Sequence, residues 1–265
     1  MIPIFDSLSH PTLTGDWLQS GRDSSFGALS ASLKTSGYVG AAAVGIYGVG
    51  EYEDKRFLNE CQKYPHLVPV AGFNPSHTLS ISDEMRRIKL LGYTAIKIHP
   101  RFNRINLEGP KLGQILAAAA EQQLIIFLCT YQHNTIERYP SEDSFISIVR
   151  ALKAAPKAKV VLLHGGDVQV LRYAELVRFN PNLILDLSMT IMKYAGSSLE
   201  NDISFLFRQF DRRICIGTDH PEYGHRELRT RFEELSAAIP FEKAENIAFR
   251  NISNFIGVKS LSRSA

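Results

Sequence analysis

Residues 124–129 read LIIFLC, and residues 159–164 read KVVLLH. Short runs that are almost wholly apolar are typical of strands in a parallel sheet, which is buried on both faces. Similar runs recur along the chain and predict eight strands: Ile2–Leu8, Gly40–Tyr47, Leu67–Phe73, Ala95–His99, Leu124–Thr130, Val160–His164, Leu183–Ser188 and Arg213–Thr218.

Segments with helical spacing of apolar residues separate the predicted strands and follow the last one. They are Phe26–Ser36, Tyr52–Tyr64, Ile81–Leu91, Lys111–Glu121, Asp143–Ala155, Val168–Phe179, Leu199–Phe210, Arg226–Ala238 and a closing stretch, Phe241–Ile256. Strict alternation of strand and helix predicts βα units. Eight units in 265 residues match a (β/α)8 TIM barrel, so we expect one α/β domain, residues 1–265, with a C-terminal helical extension. A doubly wound sheet is the alternative, although no GxGxxG motif follows the first strand.

Composition narrows the class of protein. The formal net charge is only +3, and basic residues form no run, which argues against nucleic-acid binding. No apolar stretch predicts a membrane span, and the N-terminus does not have the pattern of a signal peptide. The three cysteines are widely spaced, which favours a reducing cytoplasm over a disulfide framework. The expected partner is a small-molecule substrate, and a homo-oligomer is compatible with the sequence.

Ionisable residues gather where the predicted strands end. His10, Lys97, His99, Cys129, His164, Asp186 and Asp219 all lie at or just after a strand. In a (β/α)8 barrel, chemistry takes place at the carboxyl ends of the strands. His, Cys and Asp are ligand types for zinc, and an aspartate beside an activated water can take its proton. His133 and His220, a little further on, are expected in exposed loops.

Several motifs, in order along the chain, resemble the amidohydrolase superfamily, and specifically its amidohydrolase-2 branch of decarboxylase- and lactonase-like enzymes. They are IFDSLSHP (4–11), LGYTAIKIHPRF (91–102), VVLLHGG (160–166), ICIGTDHPEYG (214–224) and NIAFRNISNFIG (246–257). The resemblance runs over nearly the whole length of the chain and implies the barrel fold and hydrolytic or decarboxylating chemistry.

The resemblance also implies site residues. His10 would be the second histidine of the strand-one Asp-x-His-x-His pair, His164 the strand-six histidine, and Asp219 both a metal ligand and the general base. Two positions depart from the family pattern, because Leu8 replaces the first histidine of the pair and Cys129 replaces the strand-five histidine. A thiolate can bind zinc, whereas leucine cannot bind any metal.

The expected divalent metal is zinc, with manganese as an alternative, and its expected ligands are His10, Cys129, His164 and Asp219. A metal-free site is also compatible with the two departures. The residues expected to bind substrate carboxylates are Lys97, His99, Arg101 and Tyr131.

The expected function is hydrolysis of an ester, lactone or amide in a small polar or carboxylated molecule, with Asp219 and His164 as catalytic residues. A metal-free lactonase, a non-oxidative decarboxylase and a non-catalytic ligand-binding barrel are the alternatives.

Overall fold

A computed structural model describes residues 1–131, 135–136 and 142–258. Its core is a parallel sheet of eight strands that lie in the order of the sequence. The strands are β1 Ile4–Ser9, β2 Tyr38–Val44, β3 Leu67–Phe73, β4 Ala95–Ile98, β5 Ile125–Cys129, β6 Val160–Leu163, β7 Leu183–Asp186 and β8 Ile214–Cys215. This sequential order, with a helix after each strand, confirms the predicted (β/α)8 barrel.

The helices occupy the predicted segments to within a few residues. They are α1 Phe26–Thr35, α2 Asp54–Gln62, α3 Ile81–Leu91, α4 Lys111–Glu121, α5 Ser144–Ala154, α6 Val170–Arg178, α7 Thr190–Lys193, α8 Leu199–Gln209, α9 His225–Ser236, α10 Phe241–Glu245 and α11 Asn251–Ile256. The four-residue helix α7 was not predicted, because it is too short to show a helical period. No helix in the described ranges is long and apolar enough to cross a membrane.

Local sequence signals set some of the helix boundaries. The Ser80 side chain accepts a hydrogen bond from the Asp83 amide at 3.3 Å and caps the start of α3. Gly92 ends the same helix at φ +108°, a left-handed conformation that glycine adopts without a steric penalty.

Hydrogen bonds between β1 and the segment that follows β8 bring the two ends of the sheet together. The Ser7 amide donates to the Ile216 carbonyl at 3.1 Å, and the Asp219 amide donates to the Leu8 carbonyl at 2.9 Å. Ser9 then forms a parallel bridge with His220. These contacts place the residues after β1 beside those after β8.

Two apolar layers hold the barrel together. One lies between the strands and the surrounding helices, and the other fills the barrel interior with alternate strand residues such as Phe5, Phe127 and Leu163. Ile252 and Ile256 of α11 join the inner layer. The Asn251 side chain donates to the Ile214 carbonyl at 2.8 Å, at the start of β8, so α11 lies at the amino end of the barrel. The carboxyl ends of the strands remain available for a site.

Candidate active site

A cavity of about 250 Å³ lies at the carboxyl ends of the strands. Six of the eight predicted site residues line it: His10, His99, Arg101, Tyr131, His164 and Asp219. Lys97 and Cys129 are almost fully buried in their strands, at 1% and 4% exposure. The fold therefore gathers the predicted residues around one place, although they are far apart in the sequence.

His10 follows β1 and points its ring across the barrel end. Its Nδ1 lies 2.8 Å from the Val44 carbonyl oxygen, so Nδ1 carries the proton and donates it. Its Nε2 lies 3.3 Å from Oδ1 of Asp219. The indole of Trp17 stacks parallel to the His10 imidazole, with ring centroids 5.3 Å apart and an interplanar angle of 10°.

Asp219 follows β8 and is buried. Burial alone would raise the pKa of its carboxyl group, but the charge of His164, the contact with His10 and the charge of Lys97 together lower that pKa well below its usual range. Asp219 is therefore ionised at neutral pH. Its φ of +57° is unusual for a residue with a side chain, and such backbone strain is concentrated at functional sites.

His164 follows β6 and begins a tight turn. Its φ is +64°, and Gly165 and Gly166 follow with φ of +60° and +76°. The turn leaves no room for a side chain at Gly166, since a Cβ there would lie 2.0 Å from the Tyr173 ring. Nδ1 of His164 lies 3.2 Å from the Ser188 carbonyl oxygen, which leaves Nε2 for the site.

Cys129, at the end of β5, contacts both His99 and His164. Burial would raise the pKa of the Cys129 thiol, but the charges and hydrogen bonds of these two imidazoles lower it well below its usual value. For His164, burial acts to lower the pKa, whereas Asp219 and Cys129 raise it and prevail. The pKa shifts of Cys129 and His164 have opposite signs, which favours a thiolate beside an imidazolium.

Lys97 brings a cation into the barrel interior. Its Nζ is buried and has no hydrogen-bond partner among the described residues. Burial lowers the pKa of Lys97 and outweighs the opposing charges of Cys129, Asp219 and Asp186. Asp186 in turn accepts hydrogen bonds from the His164 amide at 3.2 Å and from the Ser7 and Ser188 hydroxyls. Lys97 and Asp186 share the barrel interior without a direct ion pair between them, and burial shifts the pKa of each towards its neutral form.

The rim of the cavity is cationic around Tyr131. The guanidinium of Arg101 lies 4.9 Å from the centroid of the Tyr131 ring, and Nζ of Lys193 lies 4.5 Å from it. Lys193 also donates a hydrogen bond to the Tyr131 hydroxyl at 2.8 Å and lies 3.6 Å from the Asp167 carboxylate. Arg101 therefore brings a positive charge to the cavity lining that favours anionic molecules, whereas the charge of Lys193 is paired with Asp167.

The altered strand-one motif has a structural explanation. Leu8, at the position where the resemblance implies a histidine, is fully buried in the inner apolar layer. Burial of a leucine side chain contributes roughly 1.5–3 kcal/mol to stability. Asp6 is also fully buried, and its Oδ2 lies 3.0 Å from Nε2 of His225 in α9. Of the motif residues Asp6, Leu8 and His10, only His10 lines the cavity.

Some site residues were missed by the sequence analysis. Trp17, Met189 and Glu222 line the cavity from the loops after β1, β7 and β8. Only the position of each residue after a strand could have indicated them. The prediction that His220 lies in an exposed loop is wrong, because His220 is 8% exposed and packs against His225 with ring centroids 5.3 Å apart. The other loop histidine, His133, lies outside the described residues.

The predicted metal ligands form no preformed metal site. Within the described part of the chain, no three His, Cys, Asp or Glu side chains are arranged to hold a metal ion together. The donor chemistry nevertheless fits zinc or manganese, because His10 and His164 each use Nδ1 on a backbone carbonyl and Asp219 is ionised. The ligand set therefore stays a prediction.

Comparisons with known proteins agree with this class of barrel. The chain is similar to 5-carboxyvanillate decarboxylase from Sphingomonas paucimobilis, with 14% identity, coverage of 98% of this chain and 100% of that one, and a TM-score of 0.74. It is also similar to a putative 2-pyrone-4,6-dicarboxylic acid hydrolase from Pseudomonas putida, with 18% identity, coverage of 97% and 98%, and a TM-score of 0.67. A zinc-bound amidohydrolase from Burkholderia multivorans matches with 12% identity, coverage of 97% and 100%, and a TM-score of 0.69. At these identities the likeness shows the fold.

The fold and the cavity thus define an enzyme of the (β/α)8-barrel class. A family model described as "Amidohydrolase" matches residues 16–242, so this chain belongs to the amidohydrolase family. No curated protein matches the sequence. Family membership is consistent with both hydrolases and decarboxylases, and the choice between them depends on the site.

Proposed function

We propose that this enzyme hydrolyses an ester, lactone or amide bond in a small carboxylated molecule. The observation that carries the proposal is the contact between His10 and Asp219, 3.3 Å apart, on the wall of a cavity whose rim is cationic. Hydrolysis needs a group that orients and deprotonates water and a group that stabilises the developing oxyanion.

Asp219 is the group that activates water. Its carboxylate is ionised, and its low pKa makes it a weak base in bulk water. Inside the cavity it orients a water molecule and accepts its proton as the water oxygen attacks the carbonyl carbon. His10 lies against one oxygen of this carboxylate, and the hydrogen bond from its Nδ1 to the Val44 carbonyl fixes its own position there.

His164 is the group that stabilises the oxyanion. Its raised pKa favours the imidazolium form, and the Ser188 carbonyl fixes its Nδ1 proton. The Nε2 proton then donates a hydrogen bond to the carbonyl oxygen as negative charge develops there. A charged donor in a buried site stabilises an oxyanion more strongly than a neutral donor.

Substrate carboxylates would be held by the cations of the site. Arg101 lies on the rim, and its guanidinium offers the planar pair of donors that matches a carboxylate. Lys97 supplies positive charge from the barrel interior. His99 and Tyr131 line the cavity between these cations and add polar contacts.

A divalent ion is a further part of the proposal. His10, His164, Asp219 and Cys129 would hold it, and a zinc-bound neighbour shows that the same fold accommodates zinc elsewhere in the family. Such an ion supplies Lewis acidity, which polarises a substrate carbonyl and lowers the pKa of water. With the ion bound, Nε2 of His164 would be a ligand and the ion would take over stabilisation of the oxyanion; without it, His164 fills that role as described above.

The test is a screen of purified protein against carboxylated aryl esters, lactones and anilides, with the released acid and carbon dioxide measured together. Asp219→Asn should lower kcat/KM at least about 100-fold, the usual contribution of a positioned base. Asp83→Asn, which changes an exposed aspartate of α3, is the matched control and should retain wild-type activity. Hydrolysis that survives in Asp219→Asn would contradict the proposed role. Release of carbon dioxide without hydrolysis would instead identify a decarboxylase, and binding without turnover would identify a ligand-binding barrel.

A further inference from the structure

The loop between β1 and α1 contains a short segment that covers His10. We call residues 15–21 the Trp17 segment. Glycines end it on both sides, Gly15 at φ +74° and Gly21 at φ +76°. Its base is fixed, since the Thr12 amide donates to the Ser24 carbonyl at 2.8 Å and the Ser24 amide donates to the Gly15 carbonyl at 2.9 Å. The segment therefore extends from an anchored base towards the cavity.

Trp17 connects this segment to the site. Its indole is only 5% exposed and lies flat on the His10 ring. The His10 ring turns about its Cβ–Cγ bond, and contacts of Nδ1 with Val44 and of Nε2 with Asp219 hold it in the plane of the ring. The parallel indole supports one face of the imidazole and limits how far the ring can tilt out of that plane. The plane of His10, and hence the direction of its Nε2, is set by these contacts together.

Glu222 holds the indole in place. Its Oε1 accepts a hydrogen bond from Nε1 of Trp17 at 2.7 Å, and its other oxygen pairs with Arg22. The Glu222 amide donates to the Asp219 carbonyl at 2.8 Å. The residue that seats Trp17 thus belongs to the same tight turn as the carboxylate that faces His10.

We propose that Trp17 is a positioning residue for His10 and that Glu222 is the latch that seats it. This inference rests on the proposed function of the His10–Asp219 pair. Trp17, Leu18 and Glu222 together form one wall of the cavity. When the latch is released, the Trp17 segment leaves the wall and His10 loses its fixed plane.

Apolar packing helps to hold the closed arrangement, because Trp17 forms a small buried cluster with Ile46 and Val49. The Arg22 and Glu222 side chains are 47% and 36% exposed, and an exposed ion pair contributes little. Leu18 and Gln19 both have positive φ, at 51° and 57°, a conformation that costs energy in residues other than glycine. The hydrogen bond between Trp17 and Glu222 therefore acts together with the packing on Ile46 and Val49 to keep the segment closed.

Fluorescence tests the latch without any substrate, because Trp17 is the only tryptophan in the chain. Acrylamide quenching and the emission maximum would be measured for wild type and for Glu222→Leu, whose side chain has no acceptor for Nε1 of Trp17. We expect at least a twofold rise in the quenching constant and a shift of the emission to longer wavelength. The matched control is Glu175→Leu, which removes an exposed Glu–Arg pair of α6 and should leave both readings unchanged. Equal quenching in wild type and Glu222→Leu would overturn the latch.

Nuclear magnetic resonance tests the positioning of His10. The ring protons of His10, assigned by their loss in His10→Asn, should appear upfield in wild type, because they lie over the face of the indole. In Trp17→Leu these signals should move downfield and broaden, and Trp17→Phe should restore part of the shift. Signals that stay in place in Trp17→Leu would overturn the positioning role.

Activity separates this inference from the proposed function. On any ester, lactone or amide that the enzyme hydrolyses, Trp17→Leu should lower kcat more than it raises KM, with partial rescue by Trp17→Phe. A change confined to KM would contradict the positioning role. If the fluorescence and resonance shifts occur but no compound is hydrolysed, the proposed function fails while the seating of His10 by Trp17 stands.

Discussion

Replacement of Asp6 by asparagine tests what stabilises the seam of the barrel, where β1 meets the segment that follows β8. Asp6 Oδ1 accepts hydrogen bonds from the amides of Leu8 at 3.1 Å and Thr218 at 2.9 Å. Oδ2 accepts from the hydroxyls of Ser9 at 2.7 Å and Thr218 at 2.5 Å, and it lies 3.0 Å from Nε2 of His225. One buried carboxylate thus connects β1, the segment after β8 and helix α9.

The size of the effect follows from which of these contacts asparagine can keep. The carbonyl oxygen of asparagine can still accept hydrogen bonds from the two amides. Its NH₂ group replaces Oδ2, however, and cannot accept from the two hydroxyls or from the His225 imidazole. A buried donor left without its acceptor costs about 1–3 kcal/mol, and three such donors are affected here. Since the hydroxyls can rotate and His225 can change tautomer, we expect the lower end, about 3 kcal/mol.

Urea and thermal unfolding measure this loss. The single tryptophan and far-ultraviolet circular dichroism report the transition together. A loss of about 3 kcal/mol corresponds to a fall in Tm of roughly 6–12 °C for a domain of this size. Asp83→Asn again serves as the control, because Asp83 is exposed, and its Tm should match that of wild type.

The direction of the pKa shift of Asp6 predicts how the stability difference between wild type and Asp6→Asn changes with pH. Burial acts to raise the pKa of Asp6, but His225, Thr218 and Ser9 lower it below the unfolded value of 3.8. The contribution of Asp6 to stability is therefore fully present above about pH 4 and is lost as the pH falls through the lower folded pKa. The gap between wild type and Asp6→Asn should be constant near neutral pH and narrow below pH 4.

Two results would refute this reasoning. A Tm within 2 °C of wild type would mean that the Asp6 contacts contribute little to the seam. A gap that widens on acidification would mean that the folded pKa of Asp6 lies above its unfolded value.

Two further predictions concern the barrel interior. Lys97→Met removes a buried ammonium group without a hydrogen-bond partner in the described chain. It should therefore raise the free energy of unfolding at pH 7 by an amount on the order of 1 kcal/mol and weaken binding of carboxylated ligands. A variant that is less stable than wild type in urea unfolding would contradict this prediction. Cys129→Ser should lower the amount of zinc that the protein retains after reconstitution and dialysis, because a hydroxyl is a poorer zinc ligand than a thiolate. Inductively coupled plasma mass spectrometry measures the retained zinc. Equal zinc in wild type and variant would remove Cys129 from the predicted ligand set.

The sequence analysis predicted the barrel correctly because its signals are local. An apolar run such as Leu124–Cys129 marks a strand buried on both faces, and its regular alternation with helical segments leaves few topologies. The strand β8 is the weakest case, since the predicted Arg213–Thr218 contains only the two-residue strand Ile214–Cys215. Edges of strands depend on hydrogen bonds to neighbours that the sequence does not show.

The sequence also indicated which residues surround the cavity, because strand ends in a (β/α)8 barrel converge. It did not show that Leu8 belongs to the inner apolar layer, or that Asp6 faces His225. In both cases the partner lies on a different strand or helix, and only closure of the barrel brings the two together.

What the sequence by itself determined, then, is the fold, the family motifs and the set of ionisable residues at the strand ends. The tertiary structure decided how these residues are paired: His10 with Asp219 and Trp17, and His164 with Ser188. The physical reason is that the period of a strand or helix is written in neighbouring residues, whereas the state of an ionisable side chain depends on burial and on charges that distant segments bring to it.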